Sequence, residues 1–170
     1  ARGHDITVVR TYSERDPKPA DYDGFVVRGF AAFAPPVPFV RNYVRNERLY
    51  DRLSIHLAEL IRAEKIDLIH AQHVLTGPAS IMAARAAGIP SVCTVRDYWP
   101  VCYWGDLLAD PDAAVVSPAC SAAEMARCLR PRTGLAWPAA LIAIPYMRAN
   151  LRHKQEILAR ADVIVAVSSY

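Results

Sequence analysis

The sequence predicts an α/β domain, a doubly wound parallel sheet of Rossmann-like type, and three observations lead there. Short apolar runs alternate with longer amphipathic stretches: Ile66 to Ala71, a helical stretch stopped at Gly88, Ser91 to Val95, a second helical stretch ending near Arg160, and Asp162 to Val167. The runs lack polar alternation, as strands buried on both faces of a parallel sheet do. Glycine or proline stands where elements begin or stop. Such alternation specifies right-handed βαβ units and a parallel sheet covered by helices.

Taken in order, Asp5 to Arg10 reads as a short buried strand, and Gly3 before it as the αL cap of a helix that would begin upstream. Phe25 to Phe30 is a second, weaker strand. Ala31 to Val40, with Pro35, Pro36 and Pro38, reads as an exposed apolar loop, because proline interrupts both helix and sheet. Asn46 is placed to cap a helix reaching Glu64, in which Leu49, Leu53, Leu57, Leu60 and Ile61 recur at helical spacing. Thr76 or Gly77, with Pro78, opens the helix that Gly88 stops. Residues 96–135 form a Pro-, Ala- and Cys-bearing insertion too irregular for a simple crossover, and long ordered insertions are more often functional than decorative. A last helix, near Tyr146 to Arg160, leads into the final strand.

A chain of 170 residues is long enough for one domain that buries roughly 70% of its unfolded surface. An apolar content of 53% against 22% charged residues excludes a disordered chain. No apolar run approaches the roughly 18 to 20 residues of a membrane span. The net charge of +3 is scattered and argues against nucleic acid. Arg41, Arg45 and Arg48, close behind the apolar loop, would favour an anionic surface. Four cysteines without a disulfide spacing, and no signal peptide, point to a reduced, cytoplasmic setting.

The run from Gly88 to Cys102 is a strand that empties into a polar, aromatic and thiol-bearing loop. Open α/β sheets bind ligands just beyond the carboxyl ends of their strands, so Arg96, Asp97, Tyr98 and Trp99 are the leading site candidates. His70 and His73 sit at the end of the preceding strand. Their i, i+3 spacing on a strand end sends the rings to different faces, and no nearby carboxylate completes a metal site. Cys93 reads as a core thiol. Cys102, Cys120 and Cys128, separated by 17 and 7 residues, do not form a Cys-x-x-Cys knuckle. Buried thiols are the favoured reading for them, with a zinc or iron–sulfur site or a redox disulfide as the alternatives. No strand is followed by Gly-x-Gly-x-x-Gly, which argues against a dinucleotide dehydrogenase.

Four stretches in order, Arg2 to Val9, Asp67 to His73, Gly88 to Cys102 running on to Gly105-Asp106-Leu107-Leu108, and Ala161 to Ser168, resemble the amino-terminal domain of family 4 glycosyltransferases. The resemblance spans nearly the whole chain. It implies half of a GT-B architecture, in which two Rossmann-like domains face across a cleft. The first domain binds a saccharide or lipid-linked acceptor. The second binds a UDP- or GDP-sugar donor, the anomeric configuration is retained, and no metal cofactor is required. On this expectation the segment is truncated at both ends, lacking the first strand with its glycine-rich loop and the donor domain, and is inactive alone. Its partners would be the acceptor and its own carboxy-terminal donor domain, with peripheral contact at the inner membrane face through the loop at 31–40.

Many relatives carry His-Asp where this chain has Arg96-Asp97. A guanidinium stays protonated and offers a planar fork of donors, so Arg96 would act electrostatically on a diphosphate or a sugar hydroxyl, or else pair with Asp97 or a helix end. His70, His73, Tyr98 and Trp99 fall on the acceptor side. Aromatic faces suit sugar rings, although Trp99 could equally anchor the loop in the core. A flavodoxin-like binding domain, or half of a GT-B sugar epimerase, would share the same sequence pattern.

Overall fold

The computed structural model describes residues 3–12, 20–22, 24–32, 34–37, 41, 43–110, 112, 114–117 and 119–167. The helix end expected before Gly3 lies outside them, although Gly3 itself has the positive φ of a cap, +80°. The chain forms two compact units, 1–53 and 54–170.

The first unit holds a three-stranded sheet. Strand β1 (Val8–Tyr12) runs parallel to β3 (Phe25–Ala31), and β2 (Ala20–Tyr22) pairs antiparallel with the other side of β3. The β1–β3 register sets Val8 opposite Val27 and Tyr12 opposite Ala31. The first strand thus starts later than Asp5, and it is not buried: Ile6 and Val8 are exposed. The unit ends in a π-type turn, Val44–Arg48, that runs into helix α1 (Leu49–Glu64), whose first residues Leu49, Tyr50 and Leu53 are buried. Of the apolar loop expected at 31–40, residues 33 and 38–40 lie outside the described set, and Val37 is exposed.

The second unit begins inside α1, whose Leu57, Ala58 and Ile61 are buried at helical spacing. The helix ends in a six-to-one closure: Lys65 takes φ +53° and the Ile66 N–H donates to the Ile61 carbonyl at 3.0 Å. Ile66 therefore belongs to the cap, and strand β4 is confined to Ile69–Ala71 rather than starting at 66. Helix α2 (Gly77–Ala87) closes the same way on Gly88, at φ +71°, with the Ile89 N–H on the Ala84 carbonyl at 3.1 Å. Strand β5 (Ser91–Val95) follows, parallel to β4.

Residues 96–135 are more regular than their composition suggests. A short hairpin, β6 (Leu108–Asp110) and β7 (Val115–Val116), precedes helix α3 (Ala122–Thr133). The helix is started by Ser121, whose hydroxyl accepts the Glu124 N–H at 3.2 Å. Pro131 lies so near its C-terminus that the proline removes one late hydrogen bond rather than breaking the helix. Short turns over 134–143 lead into helix α4 (Ile144–Leu158), and β8 (Val163–Ala166) pairs parallel with β5.

The sheet order is β4-β5-β8, with every pair parallel. Each crossover moves the chain the same way across the sheet, so the right-handed rule lays both α2 and α4 on one face. That face carries the core: Ile81, Cys93, Trp99, Ile157 and Leu158. Within this unit the opposite face, with His70, Val92, Thr94, Val163 and Val165, is not buried, and β8 is exposed along its length. The runs at 66–71 and 162–167, expected to be buried on both faces, are therefore covered on one side at most. Within this unit the strands add in one sense, and helices on the second face would need the sense of strand addition to reverse. A second cluster, Met125, Leu129, Ala140, Met147 and Leu151, lies between α3 and α4, with Tyr103, Trp104 and Cys120 packed against it.

Candidate active site

The parallel register sets Ala71 opposite Cys93, so β4 and β5 end at the same edge of the sheet. The two exit loops meet that edge differently. After β4 the chain turns at once into α2. The His73 carbonyl accepts the Thr76 and Gly77 N–H groups at 3.0 and 2.7 Å, and its Nδ1 accepts the Leu75 N–H at 3.2 Å. An accepting Nδ1 leaves the neutral ring with its proton on Nε2, which makes exposed His73 a donor towards solvent or ligand. His70 points to the open face, where its Nε2 lies 2.7 Å from the Thr94 hydroxyl. The two imidazoles do not converge.

After β5 the loop is folded on itself. The Tyr98 N–H donates to the Gly105 carbonyl at 3.0 Å, while the Tyr98 carbonyl accepts the Val101 and Cys102 N–H groups at 3.0 and 2.8 Å. Asp97 Oδ1 accepts the Trp99 N–H at 3.0 Å in an Asx turn. Gly105, at φ +81°, lies so close that a side chain there would meet Asp97 Oδ1 at 3.6 Å. From α4, Gln155 Nε2 donates to the Pro100 carbonyl at 2.8 Å. The loop is thus held by its backbone, by Asp97 Oδ1, by Gln155 and by one buried side chain, which leaves Arg96, Asp97 and Tyr98 exposed.

That buried side chain is Trp99, only 3% exposed and packed with Ile81, Cys93, Ile157 and Leu158. Its placement on the acceptor side is corrected: an indole enclosed in the core offers no face to a sugar ring, and its part is to fix the loop. A Cβ on Gly77, at the start of α2, would lie 3.2 Å from Cys93 Sγ and 3.7 Å from Trp99 Cζ2. Among the described residues the Arg96 guanidinium has no hydrogen-bond or ion-pair partner, Asp97 included.

Cys120 Sγ accepts the Tyr103 N–H at 3.4 Å, with Cys102 beside it and Cys128 one step away on α3. Burial pushes the thiols of Cys93, Cys120 and Cys128 above their usual range, so they stay protonated and unreactive at neutral pH. Among the described residues no three His, Cys, Asp or Glu side chains are arranged to hold a metal ion.

The family model of Glycosyltransferase Family 4 matches residues 1–170. The chain belongs to glycosyltransferase family 4. Searches of curated proteins and of solved structures gave no significant match. In this family 4 domain, Arg96, Asp97 and Tyr98 share the carboxyl edge of the sheet with His73, while His70 and Trp99 are turned elsewhere. Sequence reasoning missed Arg132, which ties the insertion together. Its Nη2 donates to Asp106 Oδ2 at 2.8 Å and the Leu108 carbonyl at 2.9 Å, its Nη1 to the Cys128 carbonyl at 3.1 Å, and it lies 4.8 Å from the centre of the Trp104 ring. No local pattern marks such a residue, because its partners are 4 to 26 positions away in the chain. Among the described residues no helix is long and apolar enough to cross a membrane.

Proposed function

We propose that this domain forms the acceptor-side wall of a retaining glycosyltransferase that moves a sugar from a UDP- or GDP-linked donor to a saccharide or lipid-linked acceptor, at the cytoplasmic side of the membrane and without a metal cofactor. A second Rossmann-like domain supplies the donor side of the cleft, and the acceptor-side domain alone does not transfer. The observation that carries the reading is the exposed Arg96 guanidinium at the carboxyl edge of the sheet, unpaired among the described residues, in a chain of this family.

In the reaction the bond from the anomeric carbon to the diphosphate oxygen breaks, a bond to the acceptor oxygen forms, and the acceptor proton passes to the departing diphosphate. Arg96 cannot take that proton, so its part is to stabilise charge building on the diphosphate or to hold a sugar hydroxyl. Asp97 keeps Oδ2 for an acceptor hydroxyl while Oδ1 holds the Asx turn. Tyr98 and the Nε2–H of His73 line the same edge as acceptor contacts.

Calorimetric titration of UDP and GDP into the full-length protein, and in parallel into residues 1–170, tests the division of labour. Binding by the full-length protein and none by the acceptor domain is expected. Binding by the 170-residue domain at full affinity would reverse the assignment of the halves.

A further inference from the structure

Among the described residues the two most exposed large apolar side chains, Leu135 at 102% and Ile142 at 87%, lie in one short stretch. Residues 134–147, Gly-Leu-Ala-Trp-Pro-Ala-Ala-Leu-Ile-Ala-Ile-Pro-Tyr-Met, carry no charge. Around them, between Glu124 and Glu156, there is no acidic residue but six cationic ones: Arg127, Arg130, Arg132, Arg148, Arg152 and Lys154. Arg132 and Lys154 turn inward, onto Trp104 and Tyr103, and Arg127 pairs with Glu124 at 2.8 Å, while Arg130, Arg148 and Arg152 are exposed.

Geometry joins the apolar and cationic parts. Leu135 and Trp137 share the lining of a groove of about 740 Å³ with Arg127, Arg130 and Val115, and one carboxylate, Asp110, stands at its edge. On the far side the turn at Leu141–Ala143 runs into α4 without a break, so Ile142, Pro145, Arg148 and Arg152 follow one another at helical spacing, all exposed. Met147, Leu151 and Lys154 occupy the buried side of the same helix. The apolar residues protrude and the arginines stand on either side, the order in which an interfacial segment meets lipid. Fourteen uncharged residues are too few to span a bilayer but enough to enter its headgroup boundary.

We propose that 134–147 and its flanking arginines form a docking surface for an anionic lipid bilayer, with Leu135 and Ile142 entering the interface and Arg130, Arg148 and Arg152 meeting lipid phosphates. The charge balance selects this occupant: an uncharged apolar prominence bordered by exposed arginines, with the single carboxylate Asp110 in its groove, complements a negatively charged headgroup layer. The proposal draws on no residue of the loop at 31–40 and does not depend on the transfer reaction, because its readout is lipid binding alone.

The test is co-sedimentation of the 170-residue chain with vesicles of phosphatidylcholine, with and without phosphatidylglycerol. Binding to the anionic vesicles only, weakening with salt, is expected. The Arg130→Gln/Arg148→Gln pair should weaken it about 25-fold, roughly fivefold per arginine. The exposed pair Leu135→Ser/Ile142→Ser should weaken it by about tenfold or more while leaving the circular dichroism and melting curve unchanged. No binding to anionic vesicles, equal binding to neutral ones, or binding that survives both pairs of substitutions would overturn the proposal. The first of those results would assign the face to a protein partner.

Discussion

Two loops leave the same edge of the second sheet, and they spend their side chains in opposite ways. The turn after β4 uses His73 to start α2, through a carbonyl that accepts two N–H groups and an Nδ1 that accepts a third. The loop after β5 holds itself with backbone bonds, an Asx turn and the buried Trp99, and presents Arg96 and Tyr98 to solvent. The comparison teaches where chemistry can reside: in side chains that the fold does not already employ.

Substitutions sharpen that contrast. Trp99→Ala should be the most damaging to the fold, about 3–5 kcal/mol by denaturant unfolding, because the indole anchors the loop among Ile81, Cys93, Ile157 and Leu158. Arg96→Ala, by contrast, should leave the unfolding midpoint in place and slow transfer by the full-length enzyme about 10²–10³-fold. A stability loss without a rate loss would place Arg96 with the structural residues. Arg132→Ala should cost about 2–3 kcal/mol, since Asp106 and three carbonyls lose a charged donor at once. His73→Ala removes one hydrogen bond from the start of α2, worth about 1 kcal/mol, and a rate loss beyond about tenfold would promote it from helix starter to acceptor contact.

The opposite edge of the sheet offers the smallest effect and a control. The Asp162 carboxylate accepts from the Ser91 N–H at 2.8 Å and its hydroxyl at 2.9 Å, and these bonds hold its pKa below the usual range. A depressed folded-state pKa stabilises the protein above the unfolded-state value, and the gain disappears as pH falls through the lowered one. Asp162→Asn should therefore flatten the acid limb of the stability curve and leave transfer near neutral pH untouched. An unchanged acid limb would show that the carboxylate does not matter there.

Most of the architecture could be read from residues 46–95 and 144–167, because apolar spacing and Gly88 are local signals and the structure uses them locally. Helix α3 was not read within the irregular insertion at 96–135, although Ser121 followed by Glu124 is a local start signal and Pro131 falls near the C-terminus, where a helix tolerates it. The open face of the sheet was not legible: Asp162 to Val167 is as apolar as a buried strand, and its exposure depends on the order in which strands add. Within the site, Arg96 and Asp97 could be placed by their position after a strand. The burial of Trp99 could not, since an aromatic beside a proline suits either a core or a surface.

Gly77 sits beneath all of this. Where any other residue would put carbon it leaves a gap of 3.2 Å to Cys93 Sγ and 3.7 Å to Trp99 Cζ2. A single methyl group there would press on the thiol, which would have to give by a few tenths of an ångström, while the indole would stay at ordinary contact distance. The packing beneath the loop that carries Arg96 thus depends on one missing methyl group, at a buried position in the core.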